Sequence, residues 1–175
     1  TAFMDSIPMV VITGQVPRNL IGRDAFQEVD IAGITIPITK HNYFVSDINE
    51  LADTIRKAFL AARSGRQGPV LIDVPKDILT EIGEYERKVI EYRTDIVDLY
   101  DQNDINCLAK KINNAKRPLI YAGGGIISAD VSDKLLMLAE KADIPVVSTL
   151  MNLGAIPRNH RLSLGLVGMH GQKEA

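Results

Sequence analysis

Two short runs, residues 7–13 (IPMVVIT) and 69–75 (PVLIDVP), constrain the fold more than any other feature of the chain. Each is too short for a buried helix, is rich in β-branched residues and is bounded by Pro or Gly, which is the pattern of a strand covered on both faces in a parallel sheet. Residues 7–13, closed by Gly14, are expected to be a central strand. Parallel strands need a crossover, usually a helix, and the intervening sequence supplies one. Asp47 stands as an N-cap before Ile48, Leu51, Ala52, Ile55, Ala58, Phe59 and Ala62, whose spacing puts them on one helical stripe that Ser64 and Gly65 end. Upstream, Asp24 is expected to cap a short helix over residues 25–33, with residues 34–45 forming an extended stretch bent at Pro37. Strand, helix, strand, helix, strand is the order of an α/β protein with a parallel sheet and right-handed crossovers.

From about residue 77 the sequence turns charged and Tyr-rich without clean periodicity, so residues 79–101 read as an interdomain linker. A second unit follows over residues 102–175. It has a helix through Ile105, Leu108 and Ile112, a strand at 117–123 (RPLIYAG), a helix through Val131, Leu135, Leu138 and Ala139, and a strand at 144–150 (IPVVSTL). Each unit is roughly 75 residues long, the size at which a single core is marginal. Each also has fewer strands than a complete sheet of about five or six. The two are therefore expected to be half-domains of three-layer αβα type, residues 1–78 and 102–175. The opening residues read as the end of a helix running into a strand, with no initiator Met, so the chain is expected to be an internal piece of a longer protein.

Composition narrows the function. Twenty Lys and Arg against 22 Asp and Glu give a net charge of −2, which supplies no basic face for nucleic acid or anionic lipid. No apolar run approaches the roughly 20 residues of a membrane span. The one cysteine, Cys107, excludes an internal disulfide framework; on an apolar helical face it is expected to be a buried, inert thiol of an intracellular protein.

Several residues stand where chemistry collects in open α/β folds. Gly123, Gly124 and Gly125 follow a predicted strand and precede a helix, so backbone N–H groups there are free to approach a phosphate or a flat cofactor; a plain tight turn fits the same residues. A nicotinamide site would want GxGxxG and an acidic residue after the next strand, and that strand runs instead into Thr149, Leu150 and Met151. Arg66, in SGRQGP, is able to clamp an anion or simply to be solvated. Lys76 follows the second strand at its carboxyl end, before Asp77 as a capping residue. Gln27 offers an amide beside Phe26, and His170 is flanked by Gly168 and Gly171. No metal-ligand spacing and no Ser/His/Asp or Cys/His arrangement is present.

Taken together, DSIPMVVITGQVPRNLIGRDAFQEVDIAGITIPITKH, SGRQGPVLIDVPKDI, RPLIYAGGG, STLMNLGAIPRNH and GLVGMHG, in this order, resemble the catalytic large subunits of acetolactate synthase (acetohydroxyacid synthase), a thiamine-diphosphate enzyme family. GQVP…IGRDAFQE and GMHG are particular to that enzyme, whereas SGRQGPV and VPKD are shared with its decarboxylase relatives. Gln67 stands where the family usually has Pro, and Asn152 where many members have Gly.

The resemblance implies the second half of a thiamine-diphosphate pyrimidine-binding domain, a linker, and the first half of a Rossmann-like central domain that holds FAD. It puts Gln27 at thiamine diphosphate and Phe26 beside the reaction centre, with Pro17, Ala25, Lys40 and Lys76 along the channel for substrates and inhibitors. Arg66, Gly124, Thr149, Leu150, Val167, Gly168, Met169 and His170 would contact FAD. The implied reaction condenses two pyruvates, or pyruvate and 2-ketobutyrate, with loss of CO2 in branched-chain amino acid biosynthesis. The cofactors implied for the whole enzyme are thiamine diphosphate, Mg2+ and FAD. The implied partners are further catalytic subunits, as a homodimer or tetramer, and a regulatory small subunit, in a bacterial cytoplasm. The glutamate that activates the cofactor and the GDG-type motif for Mg2+ and diphosphate are not among these 175 residues. No catalytic or metal residue is therefore assigned, and the chain alone is expected to be inactive. The competing readings are another thiamine-diphosphate decarboxylase or carboligase, and a nucleotide-binding module without catalysis.

Overall fold

The computed structural model describes residues 1–88, 100–173 and 175, which divide into two units, Thr1–Ile96 and Val97–Ala175. In the first unit β1 (Val10–Gln15), β2 (His41–Phe44) and β3 (Val70–Pro75) form a parallel sheet in the order β1-β3-β2. The expectation that residues 7–13 supply a central strand is corrected: β1 is an edge strand with Ile12 exposed, and β3 lies in the middle with all six residues buried. A short apolar run signals a covered strand but not which strand has neighbours on both sides.

Helix α2 (Ile48–Arg63) begins where Asp47 accepts the Asn49 amide at 2.8 Å, as expected, and Ser64 closes it. Its Ala58 and Ala62 are small enough to bring the helix close to the sheet, where they pack with Val45, Val70, Ile72, Val74 and Ile78. Burying each such Val or Ile contributes roughly 1.5–3 kcal/mol.

Helix α1 (Ile31–Thr35) starts later than the sequence suggested. Its cap is Asp30, which accepts the Gly33 amide at 2.9 Å, whereas Asp24 has φ +52° and lies outside the extended region an N-cap occupies. The expected extended stretch from residue 34 is also shortened to β2. The Thr35 hydroxyl donates to the Ile31 carbonyl at 2.6 Å, and Pro37 fits the first turn of a 3-10 segment, Ile36–Ile38.

After β3 the chain turns directly into α3 (Lys76–Thr80), so the surface connection begins with a helical turn. Residues 81–88 then run against α2. There Arg56 donates to the Glu86 carbonyl at 3.2 Å and stacks 5.7 Å from the Tyr85 ring, and Gly83 sits against Ile48. The rest of the expected linker, residues 89–99, lies outside the described residues.

The second unit holds α4 (Gln102–Asn114), β4 (Ile120–Ala122), α5 (Gly125–Ser128), α6 (Ser132–Ala142), β5 (Val146–Ser148) and β6 (Ser163–Leu166). The strands form a parallel sheet in the order β4-β5-β6, with a register shift where Gly165, at φ +91°, sits opposite Val147. Leu135 and Ala139 of α6 pack on Ala122 and Val146, with Ala155, Ile156 and Leu162 completing the cluster. The expectation of a buried Cys107 is corrected: no residue of α4 is buried, and the thiol is exposed. The chain is thus α/β with parallel sheets, as expected; each has three strands, and the third strand of the second sheet, β6, was not expected. Among the described residues no helix is long and apolar enough to cross a membrane.

Candidate functional site

In an open parallel sheet, loops leaving the carboxyl ends of the strands form the ligand-binding edge. In the first unit that edge carries the loop of residues 16–29 after β1, and α3 after β3. The neck of the loop is closed by Gln15, whose side-chain amide donates to the Val29 carbonyl at 2.8 Å and to Asp73 at 3.1 Å. Asp73, only 4% exposed on β3, also accepts the Thr13 hydroxyl at 2.8 Å, so its buried carboxylate is met by two donors. Closed ends make this an Ω-loop, a form often used for function.

Arg18 ties the loop to α3. Its backbone N–H and its Nε donate to the two carboxylate oxygens of Asp77 at 3.1 and 2.6 Å, and another guanidinium nitrogen donates to the Ser46 carbonyl at 2.5 Å. Hydrogen bonding to Arg18 holds the Asp77 carboxyl below the usual carboxylate range, and the same bond raises the guanidinium. Asp77 is therefore an anchor rather than the helix cap expected from its position, since no side chain caps α3. Further along, the Glu28 carboxylate accepts the Ala25 amide at 2.9 Å and the Arg23 amide at 3.3 Å, and it also bonds the Gly22 amide. These backbone donors, Ala25 first and Gly22 second, hold the Glu28 carboxyl below its ordinary value.

Pro17, Ala25, Phe26 and Gln27 all lie on this loop, and Lys76 begins α3 at the same edge. Phe26 is 89% exposed, and Gln27 is exposed with φ +66°. Lys40 and Arg66 are not at this edge; they precede β2 and β3 at the amino ends of the strands. The Lys40 ammonium donates to the Ala61 carbonyl at 2.6 Å and to the Ser64 carbonyl, at the carboxyl end of α2, where a positive charge suits the helix dipole. Arg66 Nε donates to the Ser6 hydroxyl at 3.0 Å, and its guanidinium lies 5.8 Å from the Phe3 ring.

In the second unit the carboxyl edge gathers the remaining candidates. Gly124 follows β4 as the N-cap of α5, Thr149 and Leu150 follow β5, and Val167, Gly168, Met169 and His170 follow β6. Thr149 N–H donates to the Ala122 carbonyl at 2.9 Å and Val167 N–H to the Ser148 carbonyl at 3.1 Å, which fixes the three exits side by side. A Cβ on Gly124 would stand 3.0 Å from that of Met151, so any side chain here would press on Met151. His170, Ser148, Gly165, Arg158 and Gln172 help to line a cavity of about 410 Å3, within the size range of small-molecule sites. Beside it Asn152 is fully buried; its amide donates to the Ser148 hydroxyl at 3.0 Å, while its carbonyl oxygen has no partner among the described residues. Among the described residues no group of three or more His, Cys, Asp or Glu could hold a metal.

Sequence reasoning missed Gln15, Arg18, Glu28, Asp73 and β6. Only the closed loop reveals the first four, and the Ser and Gly of SLGL hide the strand.

Two parallel sheets, with the candidate residues other than Lys40 and Arg66 on their carboxyl edges, are open α/β units of the kind that gather ligands at that edge. Residues 105–175 match the family described as the central domain of thiamine pyrophosphate enzymes. The likeness extends through the first unit. The chain is 51% identical over 97% of its length to the acetolactate synthase isozyme 1 large subunit of Escherichia coli, and 50% identical over 98% to the acetolactate synthase large subunit of Parasynechococcus marenigrum. To the probable acetolactate synthase large subunit of Methanocaldococcus jannaschii it is 46% identical over 100% of its length. The chain is thus similar to acetolactate synthase large subunits over nearly its whole length, and it spans 28–30% of the length of these relatives.

Proposed function

We propose that the chain is the part of an acetolactate synthase large subunit that runs from the pyrimidine-binding domain (residues 1–78) through a linker (79–101) into the central domain (102–175). The whole polypeptide would condense two pyruvates, or pyruvate and 2-ketobutyrate, with loss of CO2 for branched-chain amino acid biosynthesis. One observation carries this reading: 46–51% identity to relatives bearing that name, sustained over 97–100% of the chain.

In this reading Gln27 contacts thiamine diphosphate, which when bound supplies the carbon–carbon chemistry. Phe26 stands beside the reacting atoms, and Pro17, Ala25 and Lys76 line the approach, the Lys76 ammonium drawing in 2-keto acid carboxylates; Lys40, bonded to the Ala61 and Ser64 carbonyls at the other end of the strands, would have to release them to share that role. The exposed Phe26 and Gln27 suit a ligand that meets the loop from outside the unit. Arg66, Gly124, Thr149, Leu150, Val167, Gly168, Met169 and His170 would hold FAD, which stabilises structure because the net reaction transfers no electrons. The 410 Å3 cavity, which His170 helps to line, and the orphaned Asn152 oxygen support a polar-edged ligand in the second unit. Among the described residues no group of three or more His, Cys, Asp or Glu is gathered for Mg2+, and the resemblance assigns that ion to a GDG-type motif that these 175 residues lack. A homodimer or tetramer of catalytic subunits in the cytoplasm completes the proposal. The name "large subunit" carried by the relatives supports a regulatory small subunit as partner.

The test is acetolactate production from pyruvate by the full-length polypeptide carrying this chain, supplied with thiamine diphosphate, Mg2+ and FAD. Product is expected there, and none above a heat-treated control from the 175-residue chain alone. A cofactor-loaded, folded full-length protein that makes no acetolactate would overturn the reading.

A further inference from the structure

Residues 22–27 carry Ala25, Phe26 and Gln27 and have almost no packing to hold them. Gly22, Arg23, Asp24, Phe26 and Gln27 are exposed, with Phe26 the extreme. The backbone is bent in ways that side chains resist: Asp24 and Gln27 both adopt left-handed φ, +52° and +66°, on either side of Ala25 and Phe26. Main-chain hydrogen bonding within the segment is sparse, consisting of Arg23 N–H to the Leu20 carbonyl at 3.3 Å and Glu28 N–H to the Ala25 carbonyl at 3.0 Å. What remains is one carboxylate. An oxygen of Glu28 takes the Gly22 amide, and the other takes those of Arg23 and Ala25. Successive backbone amides converging on an anion form a nest, and here the anion is built into the chain.

We propose that Glu28 is a positioning residue whose carboxylate, in place of packing, fixes residues 22–27 and so sets how Phe26 and Gln27 are presented. The inference rests on the reading that those two side chains face the cofactor and the reacting centre. A carboxylate is suited to the task because it has acceptor sites for all three amides, and its charge strengthens each bond. Glutamine keeps the shape but presents a single acceptor oxygen without charge, and alanine presents none.

The experiment uses the absence of Trp in the chain: Phe26→Trp places one indole on the loop. Amide exchange at Gly22 and Ala25 and the anisotropy of that indole are measured with Glu28, Glu28→Gln and Glu28→Ala, taking the Val70 and Ile72 amides of β3 as internal reference. In Glu28→Ala the loop amides are expected to exchange about tenfold faster or more, as loss of charge-assisted bonds implies. Anisotropy falls, Glu28→Gln lies between, and the β3 amides do not change. Unchanged loop exchange and anisotropy in Glu28→Ala would overturn the proposal. If Glu28→Ala also loosens β3, the isosteric Glu28→Gln decides: faster loop exchange over a steady β3 supports the clasp, and no change overturns it. None of these readouts needs turnover. A chain whose full-length parent made no acetolactate would still reveal whether Glu28 holds the loop, so the two readings fail separately.

Discussion

Helices α2 and α4 begin alike. Asp47 and Asp101 each accept the amide two residues ahead, at 2.8 and 2.9 Å, and both helices are amphipathic. Their surroundings then diverge. α2 buries Thr54, Ala58 and Ala62 and is contacted by residues 81–88, whereas α4 has no buried residue and leaves Ile105 and Leu108 exposed. A cap and a periodic stripe thus define where a helix forms, and something else decides whether the stripe is covered. Most helical stability in proteins comes from packing rather than propensity, so the two helices should respond very differently to the loss of an apolar side chain.

The sharpest way to break this comparison is truncation on each side. Ile72→Ala, beneath α2, is expected to destabilise the first unit by about 2–5 kcal/mol, while Leu108→Ala on α4 should change stability by no more than about 0.5 kcal/mol. Urea titration followed separately in each unit measures both, and a large loss at Leu108 would mean that α4 packs after all. The caps should behave alike. Asp47→Ala and Asp101→Ala are each expected to cost about 1 kcal/mol, read as faster exchange in the first turn, because capping is local and indifferent to what lies over the helix. A much larger loss at Asp47 would show that burial amplifies the cap.

The smallest effect is one of pH. Glu28 and Asp77 have folded values below their unfolded ones of about 4.3 and 3.9, so what they contribute is present above those values and is lost as pH falls through the lower folded ones. Carboxyl NMR titration should give midpoints below those references. A midpoint at or above either would remove that carboxylate as an anchor.

Much of the fold was legible because apolar runs and periodic stripes state their own geometry: PVLIDVP and the Asp47 cap stand as expected, and so does the α2 stripe except at Phe59, which is exposed while Thr54 is buried in its place. The errors occur where one residue type serves two geometries. Asp24 and Asp30 are equally good caps on paper, yet only Asp30 precedes a helix, and Asp24 takes a left-handed bend instead. Residues 163–166 escaped because Ser and Gly dilute the strand signal, and their place is set by pairing with β5. The candidate site divides similarly. Its glycines and the DAFQE segment are visible in the sequence, but the pairing of Arg18 with Asp77 joins residues far apart in the chain and exists only after β1 and β3 have aligned.

The exposed Cys107 gives the uncovered helix a practical use. It is the chain's one cysteine, so a maleimide dye will mark the second unit stoichiometrically and leave the first untouched. Its labelling rate becomes a gauge of occlusion. In the 175-residue chain the thiol should react as freely as one in a small peptide, and any slowing in a longer polypeptide would time the arrival of whatever comes to rest on α4.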